Sequence, residues 1–275
     1  MFHRFQVGSM QATIVSDGPL VLPAAPRIFQ GPDAAELNAA MAASGQDIAH
    51  VRVEQNCLLL ETAGKKILFD NGLGSEKLYG PDSGQVLTGL REAGVDPAEI
   101  DGLVLTHGHS DHCWGTMADD GTPNFPAATI YMAREELDFW ESDPPSERHE
   151  RSVAGVARHL LPLRERIVFV RDGAEFLPGV QAWLTPGHTP GHMAYLFAGN
   201  WCLTGDVAFH DPLSYAFPEA RSAFDADREQ GVQTRQRLLS RLADERIAVI
   251  GYHQPWPGLG RIERAGRSFR FLTDT

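Results

Sequence analysis

Four apolar runs of strand length end in the same kind of loop. GLVLTHGHSDH (102–112), VQAWLTPGH (180–188), WCLTGD (201–206) and IAVIGYH (247–253) each pass through a short glycine-containing turn into a histidine or aspartate. Strand ends that gather at one edge of a sheet bring such groups together, as the active-site loops of layered α/β enzymes do. Three imidazoles and a carboxylate within six residues, His107, His109, Asp111 and His112, interrupt an otherwise apolar strand exit. A loop leaving a strand can aim His107 and His109 to one side and Asp111 with His112 to the other, making two half-sites. His188 completes the first, His253 joins the second, and Asp206 is then the natural bridging carboxylate. Neutral imidazoles with a few carboxylates suit two zinc ions, and manganese, iron or cobalt also accept such a set.

The rest of the pattern fits a layered α/β protein. VEQNCLLLET, the turn AGKK and ILFDNG form a hairpin that begins a sheet edge. GQVLTGLREAG, the segment around AREELDFW, and REQGVQTRQRLLSRLADE carry helical periodicity, the last with Leu238, Leu239 and Leu242 on its buried side. Residues 19–50 are less regular, with Pro19, Pro23, Pro26 and Pro32 ahead of a helix-like AAELNAAMAA. They are expected to form an arm over the site or a subunit contact. No linker or repeat divides the chain, so residues 1–275 are read as one domain.

A net charge of −12 disfavours nucleic acid as a partner and suits divalent cations. No run reaches the ~18 apolar residues of a membrane helix, and the N-terminus alternates like a strand instead of showing a signal-peptide block. Cys57, Cys113 and Cys202 form no CxxC pair, which fits a reducing compartment; the expected location is cytoplasmic. Isolated histidines are more often surface or satisfied core residues than ligands, the reading applied to His3, His50, His149 and His159. His192 is expected to support the ligands rather than bind metal, and Cys113 to pack.

THGHSDH resembles the HxHxDH signature of the metallo-β-lactamase superfamily, and TPGHTPGH, TGD and GYH resemble its later metal motifs in their usual order. The resemblance runs from about Val51 to the C-terminus. It implies an αββα sandwich, two mixed β-sheets flanked by helices, with both metals at one edge of the paired sheets. FDNG resembles the family's strand-end Asp-x-Gly and makes Asp70 a supporting residue.

Several branches are set aside. True β-lactamases of this fold generally lack the bridging aspartate and are secreted; glyoxalase II carries a C-terminal helical domain. Flavodiiron proteins have a glutamate at the place of His109, and RNA-processing members carry a basic clamp. SDGPLVLP and the last helix, histidine and hairpin, with the turn PWPGLG, resemble the lactonase and methyl parathion hydrolase group, many of whose members are dimers.

This implies a hydrolase for a lactone or related hydrophobic ester, with arylester or organophosphate cleavage as the alternative and a mononuclear iron persulfide dioxygenase as the more distant one. Two zinc ions ~3.5–4 Å apart would share a hydroxide ionised near neutral pH. The resemblance makes Asp111 both ligand and proton acceptor. Related lactonases place a tyrosine three residues after the bridging aspartate, where this chain has Phe209; His210 or the metal is the expected substitute. Phe29, Trp114, Phe209, Tyr215, Phe217 and Trp256, beside ligand loops or in the arm, are the expected apolar contacts to substrate.

Overall fold

The computed structural model describes residues 1–273 apart from 78, 143–149 and 199. The chain opens with an antiparallel hairpin, β1 (Phe2–Val7) and β2 (Met10–Ser16). The 19–50 stretch follows as β3 (Leu20–Leu22), α1 (Ala25–Ile28), β4 (Phe29–Gln30) and α2 (Ala34–Ala43), and β5 (Val51–Val53) returns to pair with β3. Asp33 starts α2 with a capping box, accepting from the Ala35 and Glu36 amides while the Glu36 side chain accepts from the Asp33 amide.

β6 (Asn56–Thr62) and β7 (Lys65–Phe69) form the expected hairpin. Its turn is only Ala63-Gly64, both with positive φ, the geometry that matches strand twist. Lys65 and Lys66 already belong to β7. The hairpin is not a sheet edge: the β1–β2 hairpin adds outside it, and β8 (Gly102–Val104), β9 (Thr129–Ala133) and β10 (Ile167–Val170) continue in parallel on the other side. Between β7 and β8 lies α3 (Val86–Glu92); after β8 come α4 (Ser110–Cys113), then α5 (Arg134–Glu141) and α6 (Glu150–His159) around β9 and β10.

The second sheet is β11 (Glu175–Leu177), β12 (Val180–Leu184), β13 (Met193–Phe197), β14 (Trp201–Leu203), β16 (Ala248–Ile250), β17 (Leu259–Ala265) and β18 (Ser268–Thr273), hydrogen-bonded in that order. Between β14 and β16 the chain forms α7 (Leu213–Ala216), a short β15 (Arg221–Ser222) paired with β4, and α8 (Arg228–Asp244).

The two-residue period of the strands builds four layers. Leu58 and Leu60 of β6 face Tyr195 and Phe197 of β13 in the core between the sheets. Cys57 and Leu59 point the other way, into the core beneath α3, α5 and α6. Ala194, Cys202 and Val249 form the outer face of the second sheet, covered by Leu238, Leu239 and Leu242 of α8, as its periodicity requires. The result is the expected αββα sandwich, with two mixed sheets.

The 19–50 arm packs within its own chain. Leu20, Leu22, Ile28, Phe29, Leu37 and Met41 share a fourth core with Phe209, Leu213 and Ala220. Among the described residues no helix is long and apolar enough to cross a membrane.

Candidate metal centre

The strands β8, β12, β14 and β16 end beside one another, β8 from the first sheet and the others from the second. Their exit loops bring His107, His109, Asp111, His112, His188, Asp206 and His253 together, and the grouping follows the two half-sites. His107, His109 and His188 offer nitrogens within 4.8 Å of one another, as do the donor atoms of Asp111, His112 and His253. Asp206 straddles them: Oδ2 lies 3.3 Å from His188 Nε2 and 4.0 Å from His107 Nε2, and Oδ1 lies 3.3 Å from His112 Nε2 and 3.4 Å from His253 Nε2. Asp111 Oδ2 is 3.3 Å from His253 Nε2 and 3.5 Å from His112 Nε2.

The hydrogen bonds behind the rings decide which nitrogen faces inward. Nδ1 of His112 donates to Asp70 Oδ2 at 2.8 Å, Nδ1 of His188 to Asp225 Oδ1 at 3.1 Å, and Nδ1 of His253 to the Glu54 carbonyl at 2.7 Å. Thr106 Oγ1 donates to Asp70 and so accepts from His107 Nδ1. Each of these four rings then turns an Nε2 lone pair into the site, the arrangement that supporting carboxylates and carbonyls impose on metal-binding histidines. His109 Nδ1 approaches His188 Nε2 at 2.9 Å, a contact between two ring nitrogens that needs a proton or a cation.

Nε2 of His107 and of His112 and Oδ1 of Asp206 are buried with no hydrogen-bond partner. Buried polar atoms are rarely left so, and donors converging without bonding one another fit a divalent metal pair.

Charge follows the same division. Burial pushes the His107 and His109 pKa values well down. Burial also opposes protonation of His112 and His253, yet the Asp206 and Asp111 carboxylates outweigh it and push His253 up to about 9. The carboxylates are held well below their usual range by the neighbouring imidazoles, despite burial. A divalent cation held by these groups would take the place of those protons.

The loop carrying His188 is tied to the start of α8: the Ala226 and Asp227 amides donate to the His188 and Gly187 carbonyls. Gly187 has φ +133, and a Cβ there would meet the Gly231 amide nitrogen at 2.3 Å, so only glycine allows this approach. Behind His188, Asp225 also receives buried Arg235, which donates to the Val207 and Ala220 carbonyls as well.

His192 accepts from the Asp206 amide at 3.0 Å and braces that loop from behind, as expected; burial pushes it down to about 3, so it stays neutral. His3 and His50 are exposed, His159 stacks on Trp114, and His149 lies outside the described residues. The three thiols are buried; Cys113 packs in the helix-side core and donates to the Gly108 carbonyl.

Sequence periodicity did not single out Glu136. Fully buried on α5, it accepts from the Gly108 amide (2.7 Å) and Trp140 Nε1 (2.6 Å) through Oε1, and from Thr189 Oγ1 (2.5 Å) and the Gly191 amide (3.2 Å) through Oε2. One carboxylate thus clasps the loop bearing His107 and His109 to the loop bearing His188. Burial pushes its pKa up, and the Thr189, Trp140 and Gly108 donors pull it back.

A cavity of about 250 Å³ opens onto the cluster. Leu20, Leu22, Phe209, Ala223 and Phe224 make its apolar wall, and Tyr79, Ser110 and Ser152 carry hydroxyls on it.

Of the aromatic residues expected there, Phe209 lines the cavity and Phe29 stacks behind it at 5.2 Å. Trp114, Tyr215, Phe217 and Trp256 are corrected. Trp114 turns into the helix-side core, where its indole fills the space over Gly155. Tyr215 packs on Phe271 in the outer core. Phe217 packs into the arm's core, and Trp256 sits at the rim of the inter-sheet core. His210 faces a second cavity, on the side of His253 where Gln46 and Asp211 lie.

A family model, "Metallo-beta-lactamase superfamily", matches residues 51–262. The chain is 32% identical over 119 residues to "Probable metallo-hydrolase YybB" of Bacillus subtilis (strain 168), covering 40% of this chain and half of that protein's length. It is 28% identical over 174 residues to "N-acyl homoserine lactonase AiiA" of Bacillus thuringiensis subsp. kurstaki, 56% of this chain and 63% of that one. In structure it is similar to AidC, described as a dizinc quorum-quenching lactonase, with a TM-score of 0.93 at 24% identity over 100% of this chain and 97% of that one. It is also similar to the hydrolase AbOPH, with a TM-score of 0.90 at 25% identity over the same shares. A family match over most of the chain, on a sandwich whose strand ends converge in this way, places this protein in the metallo-beta-lactamase superfamily.

Proposed function

We propose that this chain is a lactonase: it opens a lactone or related hydrophobic ester with two divalent metal ions, zinc by preference, held by His107, His109 and His188 on one side, Asp111, His112 and His253 on the other, and Asp206 between. The observation that carries this reading is Asp206, whose two oxygens face separate histidine groups at the floor of a cavity with an apolar wall. Such a metal pair supplies a water that ionises near neutral pH and a Lewis acid for the substrate's acyl oxygen.

The residues of the chain do the rest. Leu20, Leu22, Phe209 and Phe224 take the acyl chain out of water, which holds the ester over the ligands. Asp111, ionised at the cavity floor, accepts the proton that the attacking water gives up and returns it to the leaving alkoxide, so that ester and water become acid and alcohol. The likeness to proteins named as lactonases supports the lactone as substrate class.

The test is a panel of N-acyl homoserine lactones, aryl esters and phosphotriesters assayed with zinc-reconstituted protein. Lactones turned over with the highest kcat/KM support the proposal. A preference for aryl esters or phosphotriesters replaces the substrate class, and one iron per chain with oxygen consumption replaces the reaction.

A further inference from the structure

The polar side chains on the cavity wall that no metal needs are Tyr79, Ser110 and Ser152. Tyr79 lies between β7 and α3 in a loop fixed at both ends by one buried carboxylate: Asp17 accepts from the Leu73 amide through Oδ2 and from the Val86 amide through Oδ1, each at 2.9 Å. The Tyr79 carbonyl accepts from the Val21 amide at 3.0 Å, which ties the loop to β3, whose Leu20 and Leu22 make the apolar wall. The phenol is half-buried beside the side chain of Ser110, which sits between His109 and Asp111 in sequence.

Each hydroxyl carries one proton to donate, so even where the two meet one proton is left for a third partner in the cavity that borders both side chains. Burial, then the charge of Asp111, pushes the phenol above its ordinary value, so it stays a protonated donor at neutral pH. Phe209, on the apolar wall, has no proton to give.

Resting on the lactonase reading, we propose that Tyr79, seated against Ser110, is a catalytic hydrogen-bond donor to the acyl oxygen of the substrate. The bond strengthens as negative charge develops on that oxygen, so its contribution falls on kcat more than on KM. No bond to Tyr79 forms or breaks.

The variant is Tyr79→Phe, which removes one oxygen and keeps the ring. With zinc-reconstituted protein and N-hexanoyl homoserine lactone, kcat is expected to fall ~100–1000-fold with KM within about threefold of wild type, the range for loss of one transition-state donor. Zinc per chain and melting temperature should match wild type, and affinity for the ring-opened N-hexanoyl homoserine, read by calorimetry, should weaken by about two- to tenfold.

Unchanged kcat with full metal content overturns the inference, and so does a loss of rate that tracks loss of zinc, which would make Tyr79 a structural residue. If wild type opens no lactone, the lactonase reading fails by itself, and Tyr79 is judged on whichever aryl ester or phosphotriester is turned over. Equal rates there overturn it, and wild type inactive on all three overturns both.

Discussion

Glu136→Gln separates a clasp from an ordinary buried acid. The amide oxygen can keep the Gly108 amide and Trp140 Nε1, while the new NH2 group replaces Oε2. The Thr189 hydroxyl can reverse to accept from it, but the Gly191 amide then faces a donor. One bond is lost and the other three lose their charge assistance, together about 2–3 kcal/mol for a fully buried group. In a chain of 275 residues this lowers the melting temperature by ~5–10 °C.

The weakened clasp joins the two loops of the three-histidine half-site, so zinc there should bind about 10–100-fold more weakly, as for other residues that orient metal ligands. The assay is zinc per chain after dialysis against graded chelator, read beside thermal unfolding. Wild-type zinc retention in Glu136→Gln would refute the clasp, even if the protein were destabilised.

His109→Ala and Asp206→Asn should each abolish turnover while circular dichroism stays close to wild type, because both side chains point into the site and not into a core; near-normal rates in either would remove that residue from the metal centre. Metal-free protein should lose stability as pH rises from 6.5 to 9. His253, at about 9 when folded against 6.5 unfolded, contributes its attraction to Asp206 and Asp111 fully below 6.5 and loses it as pH passes 9. Zinc-loaded protein should not show this fall, and a flat melting curve for the metal-free form across that window would contradict the assignment.

The layered α/β class and the ligand cluster were readable because both rest on local rules, while the αββα sandwich followed from the resemblance carried by THGHSDH and the later motifs. A two-residue alternation marks a strand, and histidines where an apolar strand ends have few structural uses. The cavity wall was not readable. Trp114 lies two residues after His112, yet α4 swings it into the helix-side core over Gly155.

Tyr79 sits in a loop without periodicity, and its place depends on Asp17, sixty-two residues earlier. Glu136 reads as the solvent side of a short helix until β9 carries α5 against two loops distant in sequence. Arg235 likewise reads as a surface residue of α8; only the fold returns Asp225 to it and turns that pair into the backing of His188. The hairpin at 53–72 has the pattern of an edge, because nothing in its own residues announces that the N-terminal hairpin will add outside it.

The metal count and the bridging role of Asp206 are tested together by anomalous diffraction at the zinc edge from crystals of the reconstituted protein. Two peaks ~3.5–4 Å apart are expected, one among His107, His109 and His188, the other among Asp111, His112 and His253, with the Asp206 carboxylate between. A single peak, or a pair that leaves Asp206 without a metal contact, would contradict the account.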